Sequence, residues 1–221
     1  MIKTGFPELD FIIDGLKPGE ITVIAGRPCM GKTTLCWSMA ENIVYDGKKA
    51  LIVAQQNGYI GTHNLLGIDT FDYFPSLVSF EEIRDSLIKN HTTGERYDAI
   101  FFTALSPTDS KEAINIYSSL KAFAFAENIA VIIEAAVDRK VENLENRRPR
   151  IEHLKYGKLI DKFIDNILFV YREGYYNSQA DNSELEVIAA KNSSNRCGTA
   201  MLRFEVDEVP VVLCVPKIKN K

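Results

Sequence analysis

Residues 26–33 read Gly26-Arg27-Pro28-Cys29-Met30-Gly31-Lys32-Thr33, a full match to the Walker A pattern GxxxxGK[ST]. Gly26 and Gly31 let the backbone wrap tightly, so that its N–H groups converge on phosphate oxygens. Lys32 supplies an ammonium for the β- and γ-phosphates, and the Thr33 hydroxyl is a Mg²⁺ ligand. Cys29 and Met30 occupy variable positions, and Thr34 extends the binding segment. ATP with Mg²⁺ is the cofactor expected for residues 26–34, Lys32 and Thr33 being the catalytic pair and Thr33 the metal ligand. Phosphate binding alone is not hydrolysis. Turnover also requires a carboxylate near the metal, a group that orients water, and an arginine. In open α/β sheets those groups come from the C-terminal ends of neighbouring strands.

The elements that would position this loop are legible in the apolar pattern. Lys17-Pro18-Gly19 predicts a turn, Ile21–Ala25 a buried strand, and about 32–45 a helix that stops at Asp46-Gly47. Ala50–Ala54 is a second core strand. Ser79 and Glu82 form a capping box for a further helix, and 99–102 is a third strand. Asp109 with Glu112 caps a helix whose apolar face is Ala113, Ile116, Leu120, Phe123 and Ala124. Strands follow over 129–133 and 167–171, separated by a basic stretch read as loop and short helix. Residues 185–190, 201–206 and 211–215 predict antiparallel hairpins at one edge, and 172–184 a mobile loop. Strands alternating with helices make this an α/β fold with a twisted, mostly parallel sheet flanked by helices.

The chain has 221 residues, 46% of them hydrophobic and 25% charged, an ordinary globular composition that excludes wholesale disorder. One domain over 1–221 is expected from this length. No apolar run reaches the ~18–20 residues of a membrane span, and Met1-Ile2-Lys3-Thr4-Gly5 has no signal-peptide stretch. A cytoplasmic location with no membrane partner is the expectation. The four cysteines include no CxxC pair, and His63, His91 and His153 have no metal-ligand spacing. The net charge of −4 argues against coating nucleic acid through bulk charge. Residues 139–158 nevertheless hold seven basic side chains against three acidic ones, on an otherwise acidic chain.

Beyond the loop, the chain resembles the RecA-like motor domain of DnaB-type replicative DNA helicases over nearly its whole length. The opening carries Thr4-Gly5-Phe6-Pro7-Glu8-Leu9-Asp10, Gly15-Leu16-Lys17-Pro18-Gly19 and the loop itself. Ser119-Leu120-Lys121-Ala122 and Val131-Ile132 fit the family's next helix and strand. Arg148-Pro149, Leu154-Lys155, Ile160-Asp161, Asp165 and Tyr171-Arg172-Glu173 with Tyr175-Tyr176-Asn177 run ungapped along its late motif, and Lys191 with Gly198-Thr199 fits its terminal hairpin. The resemblance implies a RecA-like P-loop NTPase fold, a role in DNA replication, and single-stranded DNA held at Lys155, Tyr156 and Lys158, with Arg147, Arg148 and Arg150 just upstream.

The resemblance also locates four departures. The family's water-orienting glutamate is Gln56, and a glutamine cannot take a proton from water. Its metal-shell aspartate is Thr103, the glutamine after its fourth strand is Ala136, and its arginine finger is Ser193. Substitutes are Arg196 acting in a neighbour's site, and Glu134 or Asp98 near the metal; Asp98 precedes its strand and is expected at the wrong end. The segment between the second and third strands is shorter than the family's. The sequence shows no counterpart of the family's N-terminal helical domain or of its linker helix, so a ring built from this chain alone is not expected, although a homo-oligomer remains open. The expected behaviour is a helicase-type ATPase domain that binds nucleotide with weak or no hydrolysis. The alternatives are an active helicase using Glu134 and Arg196, and a nucleotide-binding accessory module that does not bind DNA.

Overall fold

The computed structural model describes residues 1–55, 61–65, 68–73, 81–82, 84–85, 96–103, 105–206 and 212–216. Helix α1 (Pro7–Ile13) precedes strand β1 (Ile21–Gly26), which leads through the glycine-rich loop into α2 (Lys32–Tyr45). Strands β2 (Ala50–Gln55), β3 (Gly61–Leu65), β4 (Ile68–Tyr73) and β5 (Ala99–Phe102) come next. Helix α3 (Ser110–Glu127) leads to β6 (Ala130–Ala136). A basic segment containing the short helix α4 (Gly157–Ile160) precedes β7 (Asn166–Tyr171). The single turn α5 (Glu173–Tyr176) and strands β8 (Glu184–Lys191), β9 (Gly198–Val206) and β10 (Val212–Pro216) complete the described chain.

Among the described residues ten strands form one sheet, in the order β10-β9-β8-β7-β1-β6-β5-β2-β4-β3. The five core strands β7, β1, β6, β5 and β2 run parallel, as does β4 beside β2. Strands β8, β9 and β10 add antiparallel hairpins on one side, as the sequence predicts, and β3 pairs antiparallel with β4 on the other. The strands β3 and β4 are not predicted by the sequence pattern. Ser79 and Gln56 lie outside the described residues, while 81–82 and 84–85 are helical.

Alternation along the core strands sends side chains to two apolar layers. Ile24, Ile132 and Leu168 join Leu35, Cys36 and Met39 of α2 on one face. Val23, Val131 and Phe169 join Leu120 and Phe123 of α3 on the other. Each such fully buried Leu, Ile, Phe or Met contributes about 1.5–3 kcal/mol, and this packing holds β1 and α2 at a fixed angle around the loop. Helix α3 begins where expected, the Asp109 carboxylate accepting from the Glu112 N–H at 2.8 Å. Residues 172–184, expected as a mobile loop, contain α5 and are tied by Arg172, whose guanidinium donates to the Asn182 carbonyl at 2.6 Å and to Asn182 Oδ1 at 2.7 Å.

Candidate functional site

The loop leaves β1 at the sheet's centre, where both neighbouring strands are parallel to it. Two residues bend it through left-handed conformations, Cys29 at φ 63° and Gly31 at φ 92°. Glycine is needed at position 31 for a second reason: a Cβ there would stand 2.3 Å from Phe204 Cζ on β9. At Gly26 a Cβ would stand 2.9 Å from the Val170 carbonyl oxygen, so the turn begins against the backbone of β7. Arg27 is anchored by Glu142 at 2.8 Å, Met30 is buried, and Pro28 and Cys29 are exposed.

Lys32 opens α2 and folds back over the loop, its ammonium donating to the Arg27 carbonyl at 3.1 Å. Burial holds its pKa below the ordinary lysine range, with Glu134 opposing that shift. The Thr33 hydroxyl donates to Glu134 Oε2 at 3.1 Å. Glu134 lies on β6 level with Ile24 of β1, and only 7% of it is exposed. Burial pushes its pKa up to about 7, against the downward pull of the Lys32 ammonium and the Thr33 hydroxyl. The Cys36 thiol, one turn along α2, faces the same carboxylate. Glu134 Oε1 is buried and has no N–H or O–H donor among the described residues.

A cleft of about 450 Å³ opens beside this group, lined by Gly31, Lys32, Thr33, Thr34, Arg172 and Phe204. Arg172 donates to the Cys29 carbonyl at 3.1 Å, and its guanidinium stacks 4.7 Å from the centre of the Phe204 ring. Nothing in the sequence pattern marks Phe204 as a site residue, and Arg172 figures there only as part of the late motif. The two positions are far from the loop in sequence; the β1–β7 pairing brings Arg172 to it, and the β7–β8–β9 pairing brings Phe204. The residues fit a magnesium–nucleotide complex: a loop turned tightly through Gly31, an ammonium, a hydroxyl, and a buried carboxylate oxygen without an N–H or O–H donor.

The other predicted residues fall in three places. Thr103, just past β5, lies two strands from β1; its N–H donates to the Val53 carbonyl on β2 at 3.1 Å and its hydroxyl contacts the same oxygen at 3.5 Å. Ala136 pairs with Gly26 at the loop end of the sheet. Ser193 and Arg196 lie at the opposite end, beyond the pairing of Lys191 with Ile167. There Ser193 Oγ donates to Glu20 at 3.0 Å and accepts from Lys17 at 3.2 Å, while the exposed Arg196 lies over Phe11. Neither can reach the loop of its own chain. Asp98 also lies at the far end, accepting from the Lys49 N–H at 2.9 Å, as its place before the strand predicts.

In the basic segment, Tyr156 donates from its hydroxyl to the Thr108 carbonyl at 3.0 Å, and Lys155 lies 4.9 Å over the Tyr156 ring. Lys158 is exposed and borders a groove of about 910 Å³ that also touches Leu154, Leu159, Asp161 and Lys191. Arg147 and Arg148 are engaged within the chain. Arg147 stacks on Tyr176, and Arg148 forks onto Glu186 at 2.8 and 2.5 Å and lies over Tyr171.

A parallel sheet with this strand order, a GxxxxGK[ST] loop leaving its central strand and antiparallel hairpins beyond β7 defines the RecA-type α/β fold. The chain belongs to the family of the DnaB-like helicase C-terminal domain, whose profile matches residues 1–59 and 102–209. It is 28% identical over 256 residues to a probable replicative DNA helicase of Trieres chinensis, covering 93% of this chain and 56% of that protein. It is 26% identical over 248 residues to the replicative DNA helicase DnaB of Geobacillus stearothermophilus, covering 92% of this chain and 54% of the relative. The chain thus spans about half the length of these curated relatives. Among solved structures, an isolated ATPase domain superposes with a TM-score of 0.81 at 20% identity, covering 96% of this chain and 90% of that one. A DnaB-like replicative helicase, from a structure addressing its interactions with primase, gives 0.78 at 19%, covering 92% and 59%. At these identities the two structures bear on the fold, which has the α/β architecture the sequence pattern predicts and is the RecA-like fold the resemblance implies.

Proposed function

We propose that this chain is a DnaB-like helicase domain of DNA replication that binds magnesium–ATP at residues 26–34, with Lys32 and Thr33 as its working pair. It holds single-stranded DNA at Lys155, Tyr156 and Lys158, and hydrolyses nucleotide slowly or not at all. The observation that carries the reading is the convergence of Lys32, Thr33 and Glu134 beneath the glycine-rich loop, with a cleft open beside them. Thr103, at the family's acidic position, spends its polar groups on β2, and Ser193, at the finger position, spends its hydroxyl on Glu20. Binding with little turnover is the behaviour that combination supports. When bound, magnesium would supply positive charge against the phosphates; Lys32 would add a second cation, and Thr33, with Glu134 bonded to it, would hold the metal.

Titration with ATP and magnesium, in parallel with a phosphate-release assay, tests the reading. Binding that Lys32→Ala weakens at least tenfold, with DNA-stimulated release near background, is the expected result. Brisk release abolished by Lys32→Ala would establish the second reading, an active ATPase, which the Thr33–Glu134 contact favours. That reading takes its arginine from Arg196 of another copy, since the chain's own Arg196 is at the wrong end of the sheet. Partners beyond nucleotide and DNA enter only through the family. No helix among the described residues is long and apolar enough to cross a membrane.

A further inference from the structure

We infer that Glu134, on the strand directly beside the loop strand, is the carboxylate of the magnesium shell in this chain, replacing an acid that the end of β5 does not supply. The inference rests on the nucleotide-binding reading and deepens it by assigning a ligand pair, Thr33 and Glu134, to the cation. Three observations carry it.

The first is position. Strand β6 lies between β1 and β5, so a side chain on it starts one strand nearer the loop than Thr103 does. Glu134 is level with Ile24 and shares its face of the sheet, the face on which α2 packs. A carboxylate there lies under the first turn of α2, against the Thr33 side chain. The longer arm of glutamate lets the group reach upward from a level two residues below Gly26. The second is contact. The hydroxyl that this loop pattern directs at the metal already bonds Glu134 Oε2 at 3.1 Å. A cation accepted by the Thr33 oxygen therefore has a carboxylate within one ligand or one water of it, in the all-oxygen environment that magnesium prefers. The third is incompleteness. Oε1 of the same carboxylate is buried without an N–H or O–H donor, a costly arrangement unless a partner arrives. Asp98, the other carboxylate considered near the metal, is bonded at the far end of β5.

The test is nucleotide affinity with and without magnesium, read by a fluorescent ADP analogue, in the parent and in Glu134→Gln. In EDTA the variant is expected to bind the analogue severalfold more tightly than the parent, because a negative charge near the phosphates is gone. The gain in affinity on adding magnesium is expected to shrink about tenfold relative to the parent. Those opposite changes are not what a general loss of structure produces. Glu134→Asp, which keeps the charge on a shorter arm, is expected to retain part of the magnesium response, and Mn²⁺ paramagnetic resonance reports the same loss of metal binding directly. A magnesium response identical in parent and Glu134→Gln overturns the metal site while leaving nucleotide binding intact. A parent that binds no nucleotide in either buffer removes the underlying reading and the site with it.

Discussion

A carboxylate on a core strand loses the water that would solvate its charge, and Glu134 shows the consequence in a pKa raised from its ordinary 4.5 to about 7. The sign of the effect on stability follows from proton counting. Between about pH 4.5 and 7 the unfolded chain has released this proton and the folded chain still holds it, so folding binds a proton and stability falls as pH rises across that window. Above it the penalty is complete and level. Glu134→Gln removes the penalty while keeping the size of the side chain. Denaturant unfolding of the two proteins should agree near pH 4 and diverge upward, the variant gaining up to about 3 kcal/mol by pH 8. A parent–variant difference that does not change with pH would show that the carboxylate is not sequestered as described. A residue that costs stability at neutral pH is expected where its charge acts on a ligand.

The loop is held by its neighbours as much as by its own glycines. Phe204 on β9 stands where a side chain at Gly31 would go, and Gly31 has φ 92°. Gly31→Ala should therefore destabilise the fold twice over, by about 1 kcal/mol or more from the left-handed backbone and by a further amount from the collision. In a double-mutant cycle Phe204→Ala should relieve the second part and leave the first; additive effects in thermal unfolding would place Phe204 elsewhere. At α3, loss of the Asp109 cap in Asp109→Ala should cost about 1 kcal/mol in the same measurement. The elements behind these predictions differ in how far the sequence reveals them. β1, α2 and β7 are continuous apolar or periodic runs bounded by turn residues, and their boundaries are legible within a residue; β6 is found by its apolar run but extends three residues beyond it, through Glu134 to Ala136. β3 (Gly-Thr-His-Asn-Leu) and β4 (Ile-Asp-Thr-Phe-Asp-Tyr) lack a sustained apolar run and lie at the sheet edge, so nothing local marks them. The loop and its Lys32 are legible because their chemistry is contiguous. Glu134 is named near the metal from its place at the end of a strand, but its bond to Thr33 and the Arg172–Phe204 stack depend on which strands become neighbours, and strand order is not written in any single stretch of chain.

At the scale of the whole molecule, the charge distribution decides what kind of DNA binding is open to it. A chain of net charge −4 repels a polyanion on average, so attraction must be local. The basic segment looks generous in sequence, but the fold spends part of it. Arg148 is committed to Glu186 and Tyr171, and Arg147 to Tyr176, which ties the segment to β7, α5 and β8. Arg150 and the two lysines of the proposed strand site, Lys155 and Lys158, remain exposed, with Lys155 over the Tyr156 ring. Two phosphate contacts give weak, strongly salt-dependent binding, the slope of log K against log salt being about −0.7 per contact for a single strand. The double variant Lys155→Ala with Lys158→Ala should flatten that slope by about 1.4 and abolish binding to an oligothymidine at moderate salt. Arg148→Ala should instead lower the melting temperature and leave the slope alone, because its charge is already neutralised by Glu186. If Arg148→Ala flattens the slope as the lysines do, the fork onto Glu186 opens when DNA binds, and the segment acts as one surface. If neither variant changes it, the contacts with the strand lie outside this segment.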